Sequence, residues 1–164
     1  RLFNKNLGGG CILDLGCYPS SFSLLIGSLT GEPNKQNFKV SNVIKEINET
    51  NVDIDSYAKL SYEEGFYSNI GASFKKNLGS KSEIIGEKGK IIINNMWLGS
   101  DNIIRVNDQH YQSINIKNKK NNYLYQIQNI SKTLLNNIFQ PQYPGMSMSE
   151  SLLNMKTIDE WINV

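Results

Sequence analysis

The chain has 164 residues, of which 39% are hydrophobic and 20% are charged, a composition typical of a globular domain with its own core. Its net charge of +2 is too small to indicate binding to nucleic acid or to an anionic membrane surface. Two cysteines, Cys11 and Cys17, and the single His110 are too few for a zinc site of soft ligands or for a disulfide framework. We therefore expect no metal site and a reducing, cytoplasmic setting.

We expect no apolar run that approaches the ~20 residues a membrane-spanning helix requires, and therefore no membrane segment. The first residues also lack the charged and then apolar pattern of a secretory leader.

Three glycines, Gly8–Gly10, stand directly before a predicted helix near the N-terminus. Apolar residues at helical spacing continue to Leu29, and Gly31 with Pro33 is predicted to end the helix. Glycines permit unusual backbone angles and the close approach of a ligand or of another segment. The stretch therefore predicts a permissive loop followed by a helix of about three turns.

Asp14 and Tyr18 lie four residues apart at the start of this helix. Residues at that spacing lie one above the other, so a carboxylate and a phenol are predicted on one patch. Spacing alone leaves two interpretations open: a functional site, or a helix cap at Asp14 followed by a core aromatic residue. Cys11 and Cys17 flank the patch and are interpreted as small packing residues.

The middle of the chain changes to the alternating pattern of β-strands. Polar or glycine-containing turns separate the apolar runs, and Gly65 is predicted to have a positive φ in one of these turns. Six or seven short strands are predicted, at residues 38–47, 55–62, 66–74, 82–85, 90–93, 102–106 and 111–116. Because hairpin turns join most of them, the sheet is expected to be largely antiparallel.

Two further helices are predicted at the C-terminal end, the first over residues 123–139 and the second capped by Ser147 or Ser149. The fold class is therefore α+β, with a largely antiparallel open sheet and helices packed on one face. The other face carries aromatic and aliphatic residues. It is either an association surface or an ordinary scatter of exposed apolar residues.

The N-terminal residues resemble the signature that opens the C-terminal domain of the Gfo/Idh/MocA oxidoreductases. The matching residues are Arg1, then Gly8–Gly10, then the segment Asp14-Leu15-Gly16-Cys17-Tyr18. Tyrosine rather than histidine at position 18 is similar to the branch that contains glucose–fructose oxidoreductase and dimeric dihydrodiol dehydrogenase. Residues 85–91 and the helix from Met148 to Asp159 follow in the family's order.

The resemblance implies a two-domain enzyme whose N-terminal Rossmann domain binds NAD or NADP. This chain contains no strand, G-x-G-x-x-G loop and helix in succession, and Gly8–Gly10 does not fit that fingerprint. Since the chain begins at Arg1, we expect residues 1–164 to be a single C-terminal domain that is inactive when isolated. The family further implies a dimer or higher homo-oligomer and a substrate that is a sugar, a sugar derivative, or a related polyol or diol.

The family also implies roles for individual residues. Tyr18 would be the catalytic acid or base for the hydroxyl proton, a role for which a tyrosine needs a nearby cation such as the family's lysine from the other domain. Asp14 and Arg1 would contact the substrate, while Gly10 and Gly16 would allow the cofactor to approach. Tyr125 is either part of the substrate wall or a packing residue, and no role is assigned to His110.

A different class of function remains open at this stage. The chain could be a non-catalytic dimerisation or ligand-binding module of a related adaptor protein, with the opening loop serving only the fold.

Overall fold

The computed structural model describes residues 1–30, 37–63, 65–99, 102–107, 110–116 and 121–164. It contains three α-helices: α1 (Cys17–Thr30), α2 (Asn122–Leu135) and α3 (Met148–Asn163). Its seven strands are β1 (Phe38–Ile47), β2 (Asp53–Tyr62), β3 (Tyr67–Ser73), β4 (Ser82–Gly86), β5 (Gly89–Ile93), β6 (Asn102–Val106) and β7 (Tyr111–Asn115). The chain forms two compact units, the first comprising Arg1–Leu78 with Ser147–Val164 and the second comprising Gly79–Met146.

The first unit contains a three-stranded antiparallel sheet in the order β1-β2-β3. Alternate side chains of β2 from Ser56 to Tyr62 are buried, which is the period expected of a strand with one covered face. The helical elements supply the cover: Ile12, Ile158 and Trp161 belong to the same buried cluster as Leu60. The predicted packing of helices on one face of a sheet is confirmed for this unit.

The second unit contains a four-stranded antiparallel sheet in the order β4-β5-β6-β7. The seven predicted strands therefore form two sheets, and both are antiparallel as expected. Among the residues that the structure describes between Gly79 and Met146, only Thr133 is buried. The prediction of a single domain over residues 1–164 stays a prediction.

Helix α2 is shorter than the periodicity predicts. It ends at Leu135 rather than at Phe139, because Asn136 closes the last turn and Asn137 has a φ of 56°. Left-handed backbone of this kind stops a helix, and asparagine tolerates it better than most residues. The apolar side chains that recur at helical spacing along α2 are exposed: Leu124, Ile127, Ile130 and Leu134.

Gly65 has the predicted positive φ, 84°, and Ser147 is the N-terminal cap of α3. The predicted end of the first helix, at Gly31 and Pro33, lies outside the described residues.

The expectation that no stretch is long and apolar enough to cross a membrane is wrong. The 25-residue stretch Lys5–Leu29 has a mean hydropathy of 1.3 over its best 18-residue window. Length and composition alone would allow such a helix to span a bilayer, but the core helix of a soluble domain meets the same criterion. Here the stretch contributes Cys11, Ile12 and Leu24 to the buried interior of the first unit.

Candidate active site

The three glycines form a turn that folds back on the N-terminal residues. The amide of Gly9 donates to Asn4 O at 2.9 Å, and the amide of Gly10 donates to Leu2 O at 2.9 Å. Gly8 has a φ of 67°, and its amide donates to Lys5 O. Since all three amides already have partners within the chain, the turn does not offer the row of unpaired N–H groups that a phosphate cradle needs.

The helix after the glycines begins with a single π-helical turn, Ile12–Gly16, that continues directly into α1. The amide of Ile12 donates to Asp53 Oδ2 at 2.7 Å, so a carboxylate from the start of β2 caps this helical segment. Single π-helical turns inside α-helices occur frequently at functional sites. In the sequence, the Val52-Asp53 pair before an alternating strand is similar to the family's order, but that signal gave Asp53 no functional role.

Asp14 lies inside the π-helical turn, so the interpretation of Asp14 as a helix cap is wrong. Its amide donates to Gly10 O at 3.2 Å, as a residue within a helix does. Its half-buried carboxylate forms an ion pair with the guanidinium of Arg1, which is largely exposed. The structure therefore brings together two of the three residues predicted to contact the substrate.

Tyr18 lies in the first turn of α1, four residues after Asp14, and the helical backbone is continuous between them. Its side chain is 55% exposed, so the interpretation of Tyr18 as a core aromatic residue is wrong. Helical geometry places it on the same side of the helix as Asp14. Tyr18 is thus exposed on the helix face that also carries the Arg1–Asp14 ion pair.

Close packing explains why positions 10 and 16 are occupied by glycine. Gly10 has a φ of 121°, and a Cβ there would lie 2.4 Å from Asp53 Oδ1. A Cβ at Gly16 would lie 2.8 Å from Cζ3 of Trp161 on α3. The predicted contact of these two glycines with a cofactor stays a prediction, and their small size has a structural reason in each case.

Helix α3 holds the same region from a second side. Trp161 packs against Gly16 and donates its indole N–H to Ser56 Oγ at 2.9 Å. The amide of the Asn154 side chain donates to Cys17 O at 3.2 Å. The last helix of the chain thus contacts the junction between the π-helical turn and α1.

The two cysteines are packing residues, as the sequence analysis expected. Cys11 is fully buried and its thiol donates to Ala72 O at 3.2 Å. Burial raises the pKa of the Cys11 thiol, and the neighbouring Asp53 raises it further. Burial also raises the pKa of the Cys17 thiol. Both thiols are therefore poor nucleophiles at neutral pH.

Within the described part of the chain, no three His, Cys, Asp or Glu side chains are placed to hold a metal ion. Tyr125 belongs to α2 of the second unit, where its side chain is 47% exposed. Its predicted place in the substrate wall stays a prediction. His110 is exposed in the segment before β7.

Comparison with known proteins relates this chain to sugar-modifying reductases. A family model described as the GFO/IDH/MocA C-terminal domain matches residues 1–92. The curated relative dTDP-3,4-didehydro-2,6-dideoxy-alpha-D-glucose 3-reductase from Saccharopolyspora spinosa is 29% identical over 93 residues, 56% of this chain and 26% of that protein.

Solved structures share the fold over most of the chain. KijD10, a 3-ketoreductase from Actinomadura kijaniata in complex with TDP-benzene and NADP, has a TM-score of 0.74 at 15% identity, covering 93% of this chain and 46% of that one. The aldose-aldose oxidoreductase from Caulobacter crescentus, complexed with glycerol, has a TM-score of 0.76 at 18% identity, covering 99% of this chain and 47% of that one. The chain spans less than half the length of these relatives, and the similarity confirms the predicted α+β fold.

Proposed function

Because the chain belongs to the GFO/IDH/MocA family, we propose that it is the C-terminal domain of an NAD(P)-dependent oxidoreductase acting on a sugar or a related polyol or diol. The observation that carries the proposal is the exposed phenol of Tyr18 beside the Arg1–Asp14 ion pair. This chain supplies the substrate side of the reaction. The cofactor, which accepts or donates a hydride when bound, is held mainly by an N-terminal domain outside these residues.

Tyr18 carries the proton transfer in this proposal. Hydride transfer between a carbinol and a nicotinamide requires that the hydroxyl proton be removed or supplied by a group within hydrogen-bond reach. The phenol of Tyr18 is accessible to a substrate from solvent, and it is attached to a helix whose start is held by both β2 and α3. A phenol at a fixed position can meet that requirement for a hydroxyl or carbonyl oxygen.

Asp14 and Arg1 bind and orient the substrate. The carboxylate of Asp14 accepts from the Arg1 guanidinium and has further lone pairs for a substrate hydroxyl. The guanidinium has five N–H donors, and the largely exposed side chain of Arg1 leaves some of them available to oxygen atoms of a ligand. Paired acceptors and donors of this kind suit a polyhydroxylated substrate.

Replacing Tyr18 by phenylalanine tests the catalytic assignment. In the intact protein that contains this domain, NAD(P)-dependent turnover of a panel of aldoses and nucleotide-linked keto sugars is expected to fall by about 10²–10⁴-fold, the usual contribution of a positioned acid or base. The affinity for NADPH, measured by fluorescence titration, is expected to change little.

The matched control is Tyr67→Phe, because Tyr67 is also 55% exposed but lies on β3, where it contacts the ammonium of Lys59. Its turnover is expected to equal that of the wild type. Near-normal turnover in Tyr18→Phe would remove Tyr18 from the mechanism. An intact wild type that binds NAD(P) but turns over no member of the panel would favour the alternative function, a non-catalytic ligand-binding or dimerisation module.

The four-stranded sheet supports a second proposal, that the protein is a homodimer. In an antiparallel sheet, residues that pair directly across two strands, and alternate residues along one strand, lie on the same face. By this rule five isoleucines share one face of the four-stranded sheet: Ile84, Ile91, Ile93, Ile103 and Ile114. Ile91 and Ile114 are 37% and 44% exposed. Arg105 pairs directly with Ile91 and lies on the same face, so the face is largely apolar and carries one positive charge. A largely apolar patch of this kind can bury itself against an identical patch across a two-fold axis.

The remaining partners in the proposal are small molecules. The net charge of +2 is too small to favour nucleic acid as a partner, and both cysteines are free thiols, which supports a reducing cytoplasmic location.

A further inference from the structure

We infer that Asp53 is a positioning residue for Tyr18: it fixes the start of the helical segment that presents Tyr18 and Asp14 to the substrate. The inference rests on the proposed function, because the consequence for turnover requires that Tyr18 act in the reaction. In this role Asp53 acts through the backbone at Ile12.

The direct contact is the hydrogen bond from Ile12 N to Asp53 Oδ2, at 2.7 Å. Both residues are buried, with Asp53 9% exposed and Ile12 fully enclosed. A buried amide at the first turn of a helix has no partner within the helix, so removing its acceptor leaves it without any. A buried carboxylate also interacts favourably with the positive end of the helix dipole. The bond thus stabilises one particular position of the helix start.

The second carboxylate oxygen fixes the residue before the helix. Asp53 Oδ1 occupies the space that a side chain at position 10 would fill, so the carboxylate lies directly against the Gly10 backbone. Gly10 O in turn accepts from the amide of Asp14. One carboxylate from β2 therefore contacts the backbone on both sides of Cys11, and Asp14 is one hydrogen bond further along.

Tyr18 follows Ile12 by six residues, or about 9 Å of continuous helix. A small change in the direction of the helix start is therefore carried to the phenol. A displacement of about 1 Å at a reacting group can reduce turnover by about 10²-fold. The contacts of Trp161 with Gly16 and of Asn154 with Cys17 O limit movement on the other side. At the N-terminal end, Asp53 provides the acceptor for the first buried helix amide.

The test compares Asp53→Ala, which removes the acceptor, with Asp53→Asn, which keeps an acceptor oxygen of the same shape. In the intact protein, Asp53→Ala is expected to increase amide hydrogen exchange over residues 11–16 at least tenfold. It is also expected to lower kcat for the best aldose or keto-sugar substrate at least tenfold, with KM for NADPH changed less than twofold. Asp53→Asn is expected to bring both quantities back to within threefold of the wild type.

Tyr62→Phe is the matched control. This variant removes a buried hydrogen bond between β2 and α1, which joins the Tyr62 hydroxyl to Ser23 Oγ at 2.9 Å. Ser23 lies beyond the first turn of α1, the turn that contains Tyr18. The variant is expected to lower resistance to urea without changing exchange over residues 11–16 or kcat. If Asp53→Ala does not fold, Asp53→Glu takes its place, because the added methylene displaces the carboxylate from Ile12 and is expected to lower kcat at least threefold.

Two outcomes would overturn the inference. The first is unchanged amide hydrogen exchange over residues 11–16 in folded Asp53→Ala or, in its place, Asp53→Glu. The second is an unchanged kcat in that variant when the wild-type enzyme is active. Failure of the proposed function is a separate result. It would show as no turnover in the wild type or full turnover in Tyr18→Phe, and hydrogen exchange would still decide whether Asp53 holds the helix start.

Discussion

At the scale of single residues, the region around Tyr18 depends on two positions where a side chain would not fit. Gly10 lies against the Asp53 carboxylate, and Gly16 lies against the ring of Trp161. These contacts place the π-helical turn close to both β2 and α3. The two glycines therefore serve the proposed site indirectly, because they allow the Asp53 carboxylate and the Trp161 ring to pack against the backbone that carries Asp14 and Tyr18.

Gly16→Ala should show how tightly this region is packed. The added methyl group would lie 2.8 Å from the Trp161 ring, which is fully buried and cannot move outward. We expect a loss of about 1–3 kcal/mol in the free energy of unfolding, the usual cost of overpacking. Urea unfolding followed by circular dichroism measures it.

Gly86→Ala is the control, because its nearest neighbour, Gly89 O, would be 3.8 Å away, an ordinary contact. Equal unfolding curves for Gly16→Ala and the wild type would contradict the close packing of Gly16 against Trp161.

At the scale of elements, α3 is the helix whose start is specified most completely. Ser147 Oγ accepts from the amide of Glu150 at 3.3 Å, and Glu150 Oε2 accepts from the amide of Ser147 at 2.7 Å. This reciprocal capping box fixes the beginning of the helix that later contributes Asn154 and Trp161.

The capping box predicts a specific dependence of stability on pH. The Ser147 hydroxyl, and then its amide, holds the pKa of Glu150 below its ordinary value of 4.5. A carboxylate whose pKa is lowered by folding stabilises the fold above its unfolded pKa, and this contribution is lost as the pH falls through the folded value. Urea unfolding of the wild type between pH 6 and pH 3 should therefore show a loss of stability that begins near the ordinary value.

Glu150→Gln keeps the acceptor but cannot titrate, so its stability should fall less over the same pH interval. Ser147→Ala should cost about 1 kcal/mol at pH 6, where the cap is intact. An identical pH dependence in Glu150→Gln and the wild type would show that other carboxylates account for the loss.

At the scale of the whole molecule, the two units differ in how much they bury. The first unit encloses a cluster around Leu60 and Trp161, whereas in the described part of the second unit only Thr133 is buried. A sheet with five isoleucines on one face and no buried side chain among its described residues has most of its apolar surface still to cover. In the proposed homodimer, a second copy of the chain would supply a matching surface.

Ile114→Glu should therefore weaken self-association. The substitution places a charge within the isoleucine face, which would have to be desolvated in a dimer. Sedimentation velocity of the intact protein is expected to show a dimer for the wild type and a monomer for this variant. Ser113→Glu places the same charge on the opposite face of β7 and should stay dimeric. If Ser113→Glu dissociates and Ile114→Glu does not, the association surface is the other face.

The local sequence pattern was sufficient to predict the fold class, the strands and most turns. The signals involved, which are the alternation of apolar and polar residues and the positions of glycine and proline, act over only a few residues. The periods of β1 and β6 predicted their bounds as the structure has them, and the signature from Arg1 to Tyr18 identified the family. Helix α2 was predicted too long because periodicity says nothing of a left-handed asparagine at position 137.

What the sequence by itself determined is the family, the α+β class and the pairing of Asp14 with Tyr18 along one helix. Only the tertiary structure decided which groups surround them: the carboxylate of Asp53 at Ile12, the ring of Trp161 at Gly16 and the guanidinium of Arg1 at Asp14. The physical reason is distance along the chain. Hydrogen bonds within a helix follow from spacing, whereas contacts that join residues 41 positions apart, as Ile12 and Asp53 are, exist only after the sheet and helices have packed.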